Sequence, residues 1–351
     1  MQCEAPDHSF ASDNAAGVHP RILDAMIAAN VDSADAYGAD RWTARLASQF
    51  GELFGSEVGV SLCWGGTGAN VVALGSILRP WEAVICPANS HVNTDECGAP
   101  EHMLGVKLID VETPDGKLTP DDIESACGGR GDEHHVQPAV VSITQSSEWG
   151  TLYSAGEIAA LCDTAHRLDL LVHLDGARIA NATAALGGDV RSFTMDAGVD
   201  VVSFGGTKAG MMFGEAVVFL NPNLGAQAKY VRKQNAQLCS KMRFISAQFS
   251  EMLRNNLWIE LADHANRQAL QLCQQVREIP GVEVVREPIV NSLFVRLPRE
   301  AIDRLQQWSF FWDWDVAANE VRWMTSFQTT DTDIDRFVAG VRESLTAARA
   351  T

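Results

Sequence analysis

The sequence has little positive charge. Its 351 residues carry 27 lysines and arginines against 45 aspartates and glutamates, a formal net charge of −18. A surface of this sign repels a phosphate backbone, so nucleic acid is not expected as a partner. No apolar run approaches the roughly 20 residues that a helix needs to cross a bilayer, so we expect a soluble protein without a membrane partner.

The cysteines lack the spacing of a metal site or of a disulfide framework. Eight are scattered along the chain and none forms a C-x-x-C pair, which is the pattern of reduced thiols. A zinc site at His91, Glu96 and Cys97 fails because no paired ligand motif accompanies them. The first ten residues have neither the basic start nor the apolar stretch of a secretory signal. We therefore expect a cytoplasmic protein that holds no metal.

The sequence does contain a regular alternation of helix-like stretches with short apolar runs, up to about residue 200. Runs such as EAVICP, AVVSIT and LLVHLD, each followed by small or polar residues, are typical of βα units around a mostly parallel sheet. From about residue 222 the apolar spacing becomes helical, and two strands follow within VEVVREPIVNSLFVRLP. This pattern predicts a large α/β domain and a smaller α+β domain that begins near residue 246.

Two charged residues follow predicted buried strands. Asp175 closes the run LLVHLD, and Lys208 comes just after DVVSF among small residues. Ligands of doubly wound sheets bind where such strands end. A buried acid needs a cation, so Asp175 either pairs with Arg178 or faces a charged ligand. A desolvated lysine has a lowered pKa and can attack a carbonyl, so Lys208 is a candidate to form an imine with an aldehyde cofactor.

Such a cofactor needs a phosphate cradle, a carboxylate for its ring nitrogen and a cover for its aromatic face. The segment WGGTGANVVAL opens a helix, so its backbone N–H groups and Thr67 are candidates for the cradle, although many such segments are only tight turns. Asp175 is the candidate carboxylate. His91, which follows EAVICP, either covers the ring or is an ordinary hydrogen-bonded loop residue.

The motifs SDNAAGVHP, GGTGAN, SHVNTDECGAPE, HLDGARIANA, SFGGTK, RKQ and VRWMTSF occur in this order along nearly the whole chain. In this the chain resembles the fold-type-I pyridoxal-phosphate enzymes, and among them the low-specificity L-threonine aldolases of the β-eliminating lyase group. The resemblance implies a large cofactor-binding domain over residues 21–245, with a mostly parallel seven-stranded sheet flanked by helices. It also implies a small C-terminal α+β domain over 246–351 and an N-terminal segment, 1–20, that contributes to the active site.

The resemblance implies roles for individual residues, with pyridoxal 5'-phosphate as the cofactor. Lys208 would bind the cofactor covalently through an imine, Asp175 would keep its pyridine nitrogen protonated, and His91 would stack on the ring. The phosphate would be held by Gly66, Thr67 and, across a subunit boundary, Lys233.

The family's substrate carboxylate clamp corresponds to Ser12, Arg178 and Arg322. Arg178 is also expected beside the cofactor, and a guanidinium fork suits a carboxylate geometrically. Alternatives from the sequence are a helix cap for Ser12 and a surface position for Arg322. Of two adjacent histidines, His134 is preferred over His135 as a further catalytic residue, from its spacing to the Gln-Pro pair that follows.

The implied reaction is retro-aldol cleavage of L-threonine, L-allo-threonine and phenylserine-type amino acids to glycine and an aldehyde, with the reverse addition. A base, His91 or His134, would take the β-hydroxyl proton. β-Elimination or transamination is the alternative, because Lys208 and Asp175 serve all three reactions.

The sequence argues against two other classes of protein. One is a non-catalytic cofactor-binding or regulatory protein, against which the charge and the missing DNA-binding module argue. The other is a nicotinamide enzyme, which would need a G-x-G-x-x-G after its first strand. The family's assembly implies a homotetramer, a dimer of dimers, with active sites at a subunit interface. The tryptophan-rich stretch 308–315 is either core or contact surface.

Overall fold

A computed structural model describes residue 1 and residues 3–348 of the chain. These residues form two compact units, one of residues 18–257 and one that combines the described residues up to 17 with residues 258–348. The strands are β1 (Gly59–Cys63), β2 (Glu82–Pro87), β3 (Lys107–Val111), β4 (Gln137–Thr144), β5 (Leu171–Gly176), β6 (Val201–Gly205), β7 (Glu215–Phe219), β8 (Glu283–Arg286), β9 (Ser292–Arg296), β10 (Trp312–Asp315) and β11 (Glu320–Met324). The helices are α1 (Pro20–Ala29), α2 (Arg41–Phe54), α3 (Gly66–Ile77), α4 (His91–Thr94), α5 (Ala99–Leu104), α6 (Pro120–Ala126), α7 (Ala155–Arg167), α8 (Ile179–Ala185), α9 (Ala228–Gln234), α10 (Arg243–Leu253), α11 (Leu257–Val276), α12 (Arg299–Trp308) and α13 (Asp331–Ala348).

The unit of residues 18–257 contains a seven-stranded sheet in the order β1-β7-β6-β5-β4-β2-β3. Strand β7 runs antiparallel to both β1 and β6, and the other neighbouring strands are parallel. Every residue of β6 and β7 is buried, as expected for strands covered on both faces. The predicted mostly parallel sheet flanked by helices is confirmed.

The helices of this unit begin and end where the sequence supplies caps. Ser154 and Glu157 form a capping box at the start of α7, each bonding the backbone N–H of the other. Thr119 and Asp122 do the same at α6. Helix α2 ends at Gly55, whose φ of 68° is the left-handed conformation that glycine adopts without steric cost. These local signals fix where the chain turns back toward the sheet.

The second unit is built on a four-stranded antiparallel sheet, β10-β11-β9-β8. Its core is aromatic: the ring of Phe10 stacks on that of Phe337 at 4.3 Å between centroids, and Trp323 meets Phe337 edge-on at 4.9 Å. The Met324 N–H also donates to the Phe10 carbonyl at 2.8 Å. The N-terminal residues 1–17 therefore belong to this unit.

The boundary between the units falls after Leu257, whereas the sequence predicted that the smaller domain begins at residue 246. The physical reason is helix α10, which packs on α1 and α2 of the larger unit. The tryptophan-rich stretch divides between core and surface, since Phe311 is fully buried while Phe310 and Trp312 are 52% and 54% exposed. Within the described ranges, the structure contains no helix with the length and apolarity needed to span a membrane.

Candidate active site

The end of β5 places a carboxylate at the carboxyl edge of the parallel strands. Asp175 is 3% exposed and lies in register between Thr144 of β4 and Ser203 of β6. Its Oδ2 accepts a hydrogen bond from Asn70 Nδ2 at 2.9 Å, and its Oδ1 accepts one from the Ala177 N–H at 3.0 Å. Both carboxylate oxygens are thereby fixed in position, one of them by a side chain of α3.

Asn70 connects Asp175 to a second buried acid. Its Nδ2 also donates to Glu96 Oε1 at 2.7 Å, and the same oxygen lies 3.0 Å from His91 Nδ1. The hydrogen bond to Glu96 raises the pKa of His91, burial opposes this, and the carboxylates of Asp175 and Glu148 raise it further. His91 therefore lies within electrostatic reach of Asp175, and the structure brings these two predicted residues together.

The glycine-rich turn lies between β1 and α3. The cap residue Gly65 is extended and gives the helix no side-chain cap, so the first amides of α3 have no capping side chain. A Cβ built on Gly65 or Gly66 would meet no atom of the described residues within 4 Å. With Thr67 as the next residue, this open helix N-terminus is suited to an anion.

One wall of this turn was missed by sequence reasoning. The Trp64 N–H donates to Gln237 Oε1 at 3.0 Å, and the Gln237 carboxamide lies so close to Gly68 that any side chain there would displace it. A larger residue at position 68 would therefore have to move the Gln237 side chain, and no local pattern in the sequence links the two positions.

Lys208 follows β6, the strand next to β5, and lies in a short 3-10 turn, Thr207–Ala209. Glu215 holds this turn: its Oε2 accepts from the Gly206 N–H at 2.7 Å. Burial raises the pKa of Glu215 to about 7, opposed by bonds from Thr207 and Gly206 and by the charge of Lys208. A buried carboxyl group therefore lies within electrostatic reach of the predicted nucleophile.

Two further predicted residues lie in the same unit. Arg178 is half-buried and precedes α8, three residues after Asp175. Lys233 of α9 is exposed, with its Nζ 5.7 Å from the centroid of the Tyr37 ring. The predicted roles of Arg178 at the substrate carboxylate and of Lys233 at a phosphate remain predictions.

The structure does not bring His134 to this edge. His134 lies in an exposed loop, where its N–H bonds Asp132 Oδ1 at 2.9 Å. This loop precedes β4, whereas Asp175 aligns with the last residue of β4, Thr144. The seven steps between the first and last residues of the eight-residue β4, at about 3.3 Å each, separate its two ends by roughly 23 Å. We therefore correct the expectation: His134, like its neighbour His135, lies at the opposite edge of the sheet in this chain.

The remaining predicted residues belong to the other unit. Ser12 Oγ accepts a hydrogen bond from the Asn14 N–H at 3.2 Å and so caps a short 3-10 helix, which is the alternative that the sequence left open. Arg322 of β11 is half-buried, with its guanidinium carbon 4.8 Å from the centroid of the Trp314 ring. Contact of either side chain with a substrate carboxylate remains a prediction.

Several known proteins are similar to this chain over most of its length. The profile of the beta-eliminating lyase family matches residues 9–299. A low-specificity L-threonine aldolase of Pseudomonas aeruginosa is 42% identical over 335 residues, covering 94% of this chain and 95% of the relative. A Pseudomonas sp. protein of the same name is 40% identical, covering 96% of this chain and 98% of the relative. The solved structure of a Leishmania major threonine aldolase superposes with a TM-score of 0.89 at 33% identity, covering 96% of this chain and 99% of that one.

Proposed function

Because this chain belongs to the beta-eliminating lyase family, we propose that it is a pyridoxal-phosphate-dependent L-threonine aldolase. It cleaves L-threonine, L-allo-threonine and related β-hydroxy-α-amino acids to glycine and an aldehyde, and it catalyses the reverse addition. The observation that carries the proposal is the position of Lys208 in the turn that follows β6, the strand next to the one that ends with Asp175, with His91 in electrostatic reach of the carboxylate.

The residues at this edge fit pyridoxal phosphate. The open N-terminus of α3, at Gly66 and Thr67, suits its phosphate, and the buried Asp175 suits its ring nitrogen. Lys208 supplies the amine for its aldehyde carbon. When bound, the cofactor supplies a ring that accepts the electron pair left behind when a bond to Cα breaks.

Asp175 holds a proton at the ring nitrogen in this proposal. The carboxylate can hold that proton only if its side chain does not rotate out of position. Asn70 and the Ala177 N–H each donate a hydrogen bond to one of its oxygens and so fix it. Asn70 is therefore a positioning residue for Asp175.

His91 takes the β-hydroxyl proton of the substrate. Glu96 lies 3.0 Å from its Nδ1, so in the neutral ring Nδ1 carries the hydrogen that Glu96 accepts. This leaves Nε2 without a hydrogen and able to accept the substrate proton. The hydrogen bond thus selects the tautomer that acts as a base.

Substrate orientation decides which bond breaks, because only the bond perpendicular to the ring loses its electrons into it. Arg178, Ser12 and Arg322 are the groups proposed to hold the substrate carboxylate and set this orientation. The finer assignments of the family complete the proposal: a cytoplasmic homotetramer with active sites at a subunit interface, where Lys233 reaches a phosphate.

A product assay tests the function. Purified protein loaded with pyridoxal phosphate is incubated with L-threonine, and acetaldehyde, glycine and 2-keto acids are measured. Equal amounts of acetaldehyde and glycine are expected. A keto acid without acetaldehyde would show that the protein runs an elimination or a transamination instead, and turnover of neither kind would leave a cofactor-binding protein without catalysis.

A further inference from the structure

Glu215 is a buried acid to which the proposed reaction gives no role. It is the first residue of β7 and is 7% exposed. Because β7 is antiparallel to β6, it begins at the edge where β6 ends, and Glu215 pairs with Gly205 on one side and with Cys63 on the other. The sheet topology therefore places this carboxyl group beside the turn that carries Lys208.

Glu215 holds that turn through two residues. Its Oε2 accepts from the Gly206 N–H at 2.7 Å, and it also accepts a bond from the Thr207 hydroxyl. Thr207 Oγ1 in turn accepts from the Gly214 N–H at 3.1 Å. The residues on both sides of the loop 206–215 are thereby tied together, with Lys208 between them.

The charged and titratable groups around Glu215 come from three elements. Lys208, on the turn after β6, lowers the pKa of Glu215, and Cys63 of β1 interacts with it electrostatically. Arg232 of α9 acts on Cys63 and donates to the Leu62 carbonyl at 3.3 Å. Among these groups, Lys208 is therefore the one whose positive charge lowers the pKa of Glu215.

We propose that Glu215 is a positioning residue for Lys208, which fixes the turn and supplies the negative charge that keeps a proton on the Lys208 nitrogen. This inference rests on the proposed function, in which that nitrogen bonds to the cofactor. Glu215 is buried and Lys208 is half-buried, and the charge of each group affects the proton occupancy of the other. Removal of the carboxylate charge should make the Lys208 nitrogen lose its proton at a lower pH.

The test is a pH titration of the visible absorbance band of the cofactor-loaded protein, which reports the protonation of the Lys208 nitrogen without any turnover. Glu215→Gln keeps the size and the acceptor for the Gly206 N–H but removes the charge. We expect its titration midpoint to lie about one pH unit below that of the wild type. In Glu215→Asp, which restores the charge, the titration midpoint should move most of the way back to the wild-type value.

Thr207→Val is the matched control. It removes the hydroxyl that bonds Gly214 and Glu215 but leaves the carboxylate charge in place. Its midpoint should stay near that of the wild type. An unchanged midpoint in Glu215→Gln, or an equal shift in Thr207→Val, would overturn the proposal, since the second result would mean that the geometry of the turn matters and the charge does not.

A second measurement tests the inference without bound cofactor, in case a variant does not retain it. The rate at which an amine-acylating reagent modifies Lys208 in the cofactor-free protein is followed by peptide mass spectrometry against pH. The same downward shift is expected in Glu215→Gln, and its absence contradicts the inference. A wild-type protein that shows neither a visible band nor a borohydride-trapped adduct on Lys208 would instead overturn the proposed function itself.

Discussion

Asn70 donates its side-chain amide to Asp175 at 2.9 Å, across 105 residues of chain. The same nitrogen reaches Glu96 at 2.7 Å, so one neutral donor lies between two buried carboxylates. Carboxylates this close together repel each other unless a donor separates them. Asn70 thus lets the carboxylate proposed to meet the cofactor ring and the carboxylate beside His91 lie close together.

Asn70→Asp should weaken cofactor binding. The substitution keeps the size of the side chain but replaces the shared donor with a third acid, so Asp175 loses its partner and gains a like charge. We expect the dissociation constant for pyridoxal phosphate to rise about tenfold or more, which is about 1.4 kcal/mol. Fluorescence titration measures it. Asn223→Asp, at an exposed position, is the matched control and should bind as the wild type does.

Lys208→Ala should abolish covalent attachment of the cofactor. Borohydride reduction of the loaded wild type should add one pyridoxyl phosphate mass to the peptide that contains Lys208, and the variant should show none. Lys229→Ala removes an exposed lysine of α9 and should keep the adduct. An adduct on another lysine in Lys208→Ala would show that the nucleophile has been misassigned.

His91→Ala and His134→Ala separate the two predicted histidines. Loss of a general base costs on the order of 10²- to 10⁴-fold in rate, and we expect this for His91→Ala. His134→Ala should keep kcat/KM for L-threonine within about twofold, because this loop lies at the far edge of the sheet in the same chain. A large loss in His134→Ala would mean that another chain of the assembly brings this loop to the site.

The sequence predicted the parts of the site that lie directly after strands. Asp175 and Lys208 were found because a charged residue at the end of an apolar run is costly without a ligand or a partner. The sequence predicted that both lie at strand ends and face the same crevice, and the structure adds that the two strands, β5 and β6, are neighbours. Asn70, Glu96 and Glu215 were not found, because their roles come from contacts that no periodicity encodes: Asn70 lies 26 residues from Glu96 along the chain.

The position of His134 differs from the expectation for another reason. Its place before the run AVVSIT already puts it at the amino end of that strand, whereas the site lies at the carboxyl ends. The signal in Asn70 was also present, as a polar residue among the apolar residues of a buried helix. A polar side chain in a buried apolar helix needs a hydrogen-bond partner, but the sequence does not identify that partner.

Glu96→Gln should move the acid limb of the pH profile to lower pH. The bond to Glu96 is the largest of the causes that raise the pKa of His91, and the base must be unprotonated to work. Without that charge the imidazole loses its proton at a lower pH, so kcat/KM for L-threonine should begin to rise earlier as pH increases. Steady-state rates between pH 5 and 9 would show it, together with the histidine chemical shift by NMR. An acid limb that stays in place would remove His91 as the titrating base.

Glu215 should make the stability of the fold depend on pH in a defined direction. Burial raises its pKa from 4.5 to about 7 in the folded protein, so between these values the folded state binds more protons than the unfolded state. The free energy of unfolding must then fall as the pH rises through this window, by up to about 3 kcal/mol. In Glu215→Gln this contribution is absent. The urea midpoint of Glu215→Gln should therefore rise relative to that of the wild type as the pH increases from 5 to 7.5. A difference that stays constant would mean that Glu215 is already ionised at pH 5, with the charge of Lys208 neutralising it at every pH.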